Sequence, residues 1–147
     1  MNDMLKKIMN KSVGKVTLPE KIPQSKDYIV FIIDDEPDIG TILKLHIEDF
    51  FDGEIYVFEN TKSAFELIKG GKIPHLIICD VLVKDESGFN FRNRLLSEKI
   101  NIPFLFITGL GGDEDDDESY TILSKPVQAD ELKEKVFYSF SQIKISA

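Results

Sequence analysis

No stretch of this chain approaches the roughly 18 consecutive apolar residues that a membrane-spanning helix needs, so nothing in it reads as a bilayer crossing. Cysteine is almost absent. The single Cys79 cannot form an intramolecular disulfide, which fits a reducing cytoplasm, and it reads as a small buried hydrophobe. Residues 1–9 lack the continuous apolar core of a secretory signal. Positive charge is scarce except in one place. The chain carries a net charge of −8, yet residues 1–26 hold six lysines against Asp3 and Glu20, leaving +4 there and −12 on the remainder. An acidic body disfavours nucleic acid, and the basic segment has no aromatic residue or arginine with which to read bases, so direct nucleic-acid binding is not expected.

What is present suits one globular domain. A length of 147 residues gives room for one real core but not for two, and 42% hydrophobic with 30% charged residues is a globular mixture. The expected division is a basic arm over residues 1–27 and a folded body over 28–147. In the arm, Met1, Met4, Leu5 and Ile8 share one face of a short helical pattern that Gly14, Pro19 and Pro23 break. A frayed solvated tail and a docking or dimerising segment are its two readings.

Along the body, apolar runs and helical patterns alternate. Residues 28–33 (Tyr-Ile-Val-Phe-Ile-Ile) read as a central parallel strand that stops at Asp34-Asp35. Glu36-Pro37 opens a helix carrying Ile39, Ile42, Leu43, Ile47 and Phe50, and Gly53 closes it. Residues 55–58 form a second strand, and residues 61–68 a helix ended by Gly70-Gly71. The run 75–80 (His-Leu-Ile-Ile-Cys-Asp) is a third strand, ending in an acid. A loop to Gly88 and a helix through Phe91, Leu95 and Leu96 follow. Residues 103–107 make a fourth strand before Thr108, and residues 120–123 a fifth before Ser124-Lys125-Pro126. A last helix carries Leu132, Val136, Phe140 and Ile143. This alternation predicts an α/β, doubly wound, five-stranded parallel sheet of order 2-1-3-4-5 with helices on both faces. Only residues 109–119 break the pattern. They are about as short as a parallel crossover can be, six consecutive acids run from 113 to 118, and no apolar stripe is there to bury, so the fourth helix is expected to be short or missing.

In such a sheet the carboxyl ends of the strands share one edge, and the switch point falls between the strands ending at Asp35 and Asp80. Asp34, Asp35, Asp80, Thr108 and Lys125 would therefore converge. Each alone has a bland reading, since an aspartate ahead of a helix is a good cap and a lysine at a strand end is usually just solvated. Together they suggest chemistry: three carboxylates repel unless a hard cation such as Mg²⁺ neutralises them, and a lysine opposite suits a phosphoryl group.

This set, with Gly88 eight residues beyond Asp80 and Pro126 after Lys125, resembles the receiver domain of two-component response regulators, over about residues 28–143. The resemblance implies a flavodoxin-like receiver fold with Asp80 as phosphoacceptor, served by a histidine kinase or a histidine phosphotransfer protein. It implies Mg²⁺ held by Asp35, Asp80 and the Leu82 backbone carbonyl, with Asp34 acting through water, and phosphoryl contacts from Thr108 and Lys125. Ile39 and Pro126 are expected to dock the donor. The chain is expected to be no enzyme beyond self-catalysed phosphoryl acceptance and slow self-dephosphorylation, because Leu82 and Leu110 flank the approach of water and cannot orient it. An output protein whose identity the sequence does not give, and a possible homodimer, complete the expected partners. No C-terminal effector is expected, since the chain ends soon after the last helix.

Three features depart from the family pattern. Lys84 replaces a usual proline, Ile122 a frequent aromatic, and the fourth crossover is abbreviated. Haloacid-dehalogenase-type phosphatases use similar residues, but their Asp-x-Asp-x-Thr signature is not met by residues 34–38 (Asp-Asp-Glu-Pro-Asp). The alternative is a receiver-like interaction scaffold that acts without phosphorylation.

Overall fold

The computed structural model describes residues 18–109 and 120–143. Five parallel strands lie in the order β2-β1-β3-β4-β5: β1 (Ile29–Ile33), β2 (Glu54–Phe58), β3 (Leu76–Asp80), β4 (Phe104–Thr108) and β5 (Tyr120–Ser124). Four helices are found among the described residues: α1 (Pro37–Glu48), α2 (Thr61–Lys69), α3 (Gly88–Ser97) and α4 (Ala129–Ser141). The crossover between β4 and β5, with the acidic run 113–118 and Leu110, lies outside the described residues.

Because side chains alternate along a strand, the central strands feed two cores. Val30, Ile32, Leu76, Ile78, Leu105, Ile107 and Leu123 join Leu43 and Ile47 of α1 and Leu132, Val136 and Phe140 of α4 on one face. Phe31, Ile33, Ile77, Cys79, Phe104, Phe106 and Ile122 join Ala64 and Ile68 of α2 and Phe91 and Leu95 of α3 on the other. Cys79 is fully buried, as expected for a small hydrophobe, and burial pushes its thiol well above the ordinary range.

Two stripe residues break the expected pattern. Ile42 on α1 is 48% exposed and Leu96 on α3 is 37% exposed, because each helix buries a narrower stripe than its apolar residues span. The end of the basic arm packs on the body. Ile22 is buried, its N–H donates to the Phe50 carbonyl at 2.8 Å, Leu18 rests on the same core, and a 3₁₀ turn, η1 (Ser25–Asp27), leads into β1. Residues 1–17 of the arm lie outside the described residues. No helix among the described residues is long and apolar enough to cross a membrane.

Candidate functional site

Register decides which strand ends meet. Ile33 pairs with Cys79, so the residues that follow, Asp34 and Asp80, leave the sheet side by side. Asp80 itself pairs with Ile107, and Thr108 pairs with Ser124, which brings Thr108 and Lys125 to the same edge. The Lys125 N–H donates to the Thr108 carbonyl at 2.8 Å.

The two aspartates turn the chain in the same manner. Asp34 Oδ1 accepts from the Glu36 N–H at 2.9 Å, and Asp80 Oδ1 accepts from the Leu82 N–H at 2.9 Å. Each is a local turn in which a carboxylate satisfies the backbone two residues on. Their second oxygens differ. Asp80 Oδ2 accepts from Lys125 Nζ at 2.7 Å, whereas Asp34 Oδ2 is buried, has no hydrogen-bond partner, and lies 3.8 Å from Lys125 Nζ. Burial of Asp34 raises its pKa to about 6 against the lowering pull of the Glu36 N–H and Lys125, and Asp80's charge adds to the rise. Burial of Lys125 pulls the other way, but its hydrogen bond to Asp80 and the charges of Asp34, Asp80 and Glu36 hold its pKa above the ordinary value.

The remaining predicted residues are placed as follows. Asp35 is half-buried at the start of the same turn. Thr108 is buried at 2% exposure at the end of β4, and Leu82 stands out from the loop after β3 at 57% exposure. Pro126 is exposed beside Lys125, and Ile39 is half-buried, packed against the α1–α4 core. The structure thus brings Asp34, Asp80, Thr108 and Lys125 to one edge, with Ile39 turned partly into the core.

A family model, Response regulator receiver domain, matches residues 30–137. The chain belongs to that family. The receiver is also 30% identical over 112 residues to the Probable transcriptional regulator ycf29 of Cyanophora paradoxa, a match that covers 70% of this chain and 51% of the relative. The chain therefore spans about half the length of that curated relative. Among solved structures, the receiver domain of the Francisella response regulator 1452 superposes with a TM-score of 0.64 at 22% identity, covering 78% of this chain and 99% of that one. A mutant of the anti-anti-sigma factor PhyR from Bartonella quintana gives a TM-score of 0.62 at 26% identity, covering 76% of this chain and 48% of that one.

Sequence reasoning missed what holds the loop after β3 where the receiver lacks its usual proline. Asp85 accepts from the N–H of Thr61 at 3.1 Å, from the N–H of Lys62 at 3.1 Å and from Thr61 Oγ1 at 2.9 Å, so it caps α2 from outside. Although burial raises the Asp85 pKa, these bonds outweigh it and hold the group below its ordinary value. Glu86 shares the one proton of Thr61 Oγ1 with Asp85, at 2.7 Å, and pairs with Arg94 of α3 at 2.7 Å. At its far end the loop closes on Gly88, where a side chain would strike the Asp80 carbonyl oxygen at 2.7 Å. Gly88 lets the loop return against the backbone of Asp80. The signal for this clamp was an acid pair ahead of a helix, whose partner lies 24 residues away and is not legible from local pattern.

A cation fits the acid cluster. Among the described residues no group of three His, Cys, Asp or Glu side chains gathers closely enough to hold one by itself. Mg²⁺ does not ask for that. It takes hard oxygen ligands, keeps several waters, and needs only one or two carboxylates from the protein. Asp34 Oδ2, buried and unpartnered, is the oxygen whose satisfaction the fold leaves to something else.

Proposed function

We propose that this receiver accepts a phosphoryl group on Asp80 from a phosphohistidine partner, a histidine kinase or histidine phosphotransfer protein, and relays it through changed protein contacts. The observation that carries the reading is the 2.7 Å pairing of Asp80 Oδ2 with Lys125 Nζ beside the unpartnered Asp34 carboxylate, at the carboxyl end of the central strand. In the transfer, a carboxylate oxygen of Asp80 forms a bond to phosphorus while the bond from phosphorus to the donor imidazole nitrogen breaks. The imidazole leaves and the product is an acyl phosphate. Phosphoryl transfer asks the protein mainly for position and charge, which explains why no proton-transferring group is required at Asp80.

Asp80 is held in place by the Leu82 N–H, so its carboxylate is oriented before the donor arrives. Lys125 then moves its contact from Asp80 Oδ2 to the incoming phosphoryl oxygens, and Thr108 supplies a hydroxyl to the same group. Asp35, Asp80 and the Leu82 carbonyl would hold Mg²⁺, with Asp34 acting through water; when bound, the ion would supply the positive charge that lets three carboxylates and a phosphoryl group share one edge. Ile39 and Pro126 flank the acids and offer apolar area to the donor. Leu82, exposed on the loop after β3, cannot orient an attacking water and lengthens the life of the acyl phosphate; the receiver turns over no substrate. The basic residues 1–26 serve to contact an acidic surface of the same or a second receiver.

The test is incubation with Mg²⁺ and a small phosphodonor, read by intact mass. One added phosphoryl group is expected on the wild type, none on Asp80→Asn, and strong loss in excess chelator. Equal labelling of Asp80→Asn would overturn the assignment.

A further inference from the structure

Of the large apolar side chains that the fold leaves in solvent, Val57, Ile73, Leu82 and Leu96 come one to an element or loop, but two share one helix. Ile42 and Leu45 of α1 are 48% and 60% exposed, and a spacing of three sets them side by side on the surface. Asp38 lies four residues before Ile42 and Asp49 four after Leu45, and both are exposed. The four residues therefore form one outward stripe with an apolar centre and an acid at each end. Glu48 stands beside the stripe and holds Lys44, the only Lys or Arg of the helix, at 3.9 Å. Among the described residues Asp38 and Asp49 have no ion-pair partner. Such a surface suits a guest that is apolar and flanked by positive charge.

One segment of this chain has that composition. Residues 1–17 carry Met1, Met4, Leu5 and Ile8 at helical spacing, and Lys6, Lys7, Lys11 and Lys15 against Asp3, a balance of +3. The point at which the segment joins the body fits as well. Leu18 packs on the core that includes Ile47 and Phe50, and the Ile22 N–H donates to the Phe50 carbonyl at 2.8 Å, so the junction lies at the carboxyl end of α1. The 12 residues of α1 are about 18 Å long, and the nine residues 9–17 span up to about 30 Å when extended, so the apolar residues before them reach the whole stripe. A short tether holds its end at an effective concentration on the order of a millimolar, which populates a contact that separate molecules in dilute solution would not keep.

We propose that residues 1–17 fold back on the same receiver and seat Met1, Met4, Leu5 and Ile8 over Ile42 and Leu45, with their lysines toward Asp38, Glu48 and Asp49. This names the surface for the contact that the proposed function gives to the basic residues; it rests on that reading and not on phosphoryl acceptance at Asp80. Burial of apolar area supplies most of the attraction, because exposed ion pairs are worth little, and the charges select this helix face over the others.

The probe is a nitroxide on Asn2→Cys in the full 147-residue chain, with broadening of backbone amides in NMR as the readout; the buried Cys79 thiol does not take the label. Broadening is expected to be strongest at residues 38–49, unchanged on dilution, and absent when the label is on one copy and the observed amides on another. Leu5→Asp with Ile8→Asp, and separately Ile42→Ser with Leu45→Ser, should each lower the docked-to-free ratio roughly tenfold by removing two apolar side chains from the contact. Leu96→Ser, an equally simple loss of exposed apolar surface on α3, should leave the ratio unchanged. Salt of about 1 M should lower it only a few-fold, because the lysines are screened and the apolar contact is not. One pair of substitutions lies on the arm and the other at exposed helix positions, so misfolding of one variant leaves the other to decide. Broadening centred on another face would overturn the placement while the arm kept a contact, and broadening no greater than in Leu5→Asp/Ile8→Asp would overturn both. Equal broadening between copies, or a ratio that neither pair changes, would also overturn the proposal.

Discussion

Asp34 and Asp80 end neighbouring strands, each nearly inaccessible to solvent, and each turns the chain by accepting the N–H two residues on. They differ in one oxygen. That of Asp80 meets Lys125 at 2.7 Å, and that of Asp34 has no hydrogen-bond partner and stays 3.8 Å away from the same ammonium. The difference teaches that one lysine cannot satisfy both carboxylates. It sits on Asp80, the acceptor under the proposed function, and leaves Asp34 with a raised pKa and an unmet demand for positive charge. Division of labour between two like residues follows from where a single cation sits.

Removing that cation should give the largest effect. Lys125→Ala leaves two buried carboxylates without their shared counter-charge, and in metal-free buffer at pH 7.5 it should lose about 3 kcal/mol of stability, the usual cost of breaking a buried pair from one side. Mg²⁺ should then restore more stability to the variant than to the wild type, because a competing positive charge is gone. Urea unfolding with and without Mg²⁺ measures both quantities. A variant that gains less from Mg²⁺ than the wild type would mean that Lys125 helps to build the cation site.

The second prediction concerns pH. The folded pKa of Asp34, about 6, lies above its ordinary 3.8, so burial favours its protonated form. The associated stability is fully present below the ordinary value and is lost as pH rises through about 6, a swing of up to about 3 kcal/mol for a shift of this size. In chelator, Asp34→Asn should therefore be more stable than the wild type by about 2 kcal/mol at pH 7.5, with the gap closing toward pH 4. Mg²⁺ at pH 7.5 should narrow the gap by stabilising the wild type. A gap that does not change with pH would show that Asp34 carries no unmet charge.

How much of this was legible beforehand follows from the range of each interaction. The strands could be read because each is a short apolar run bounded by polar residues, and the convergence of Asp34, Asp80, Thr108 and Lys125 follows from strand order alone. Which aspartate would own the lysine could not be read, since it depends on an ångström of difference at the sheet edge. The docking of Ile22 was hidden because one apolar residue among lysines and prolines gives no period. Exposure of Ile42 was hidden because an apolar stripe does not state its own width. The Asp85 clamp escaped because its partner is distant in sequence.

That clamp gives the smallest predicted effect. Asp85→Ala removes the acceptor for the Thr61 and Lys62 N–H groups and should cost about 1 kcal/mol, as loss of a helix cap does. The loop carrying Leu82 would be less firmly held, and labelling by a small phosphodonor should slow only a few-fold, with Mg²⁺ still required. Loss of labelling as complete as in Asp80→Asn would mean that the loop does more than position the site.

The most direct test of the division between the two aspartates is to trap the acyl phosphate with borohydride, which reduces the phosphorylated side chain to homoserine, and to locate that residue by peptide mass spectrometry. The account predicts homoserine at position 80 and unmodified aspartate at position 34. Homoserine at position 34, in the wild type labelled in Mg²⁺, would contradict it.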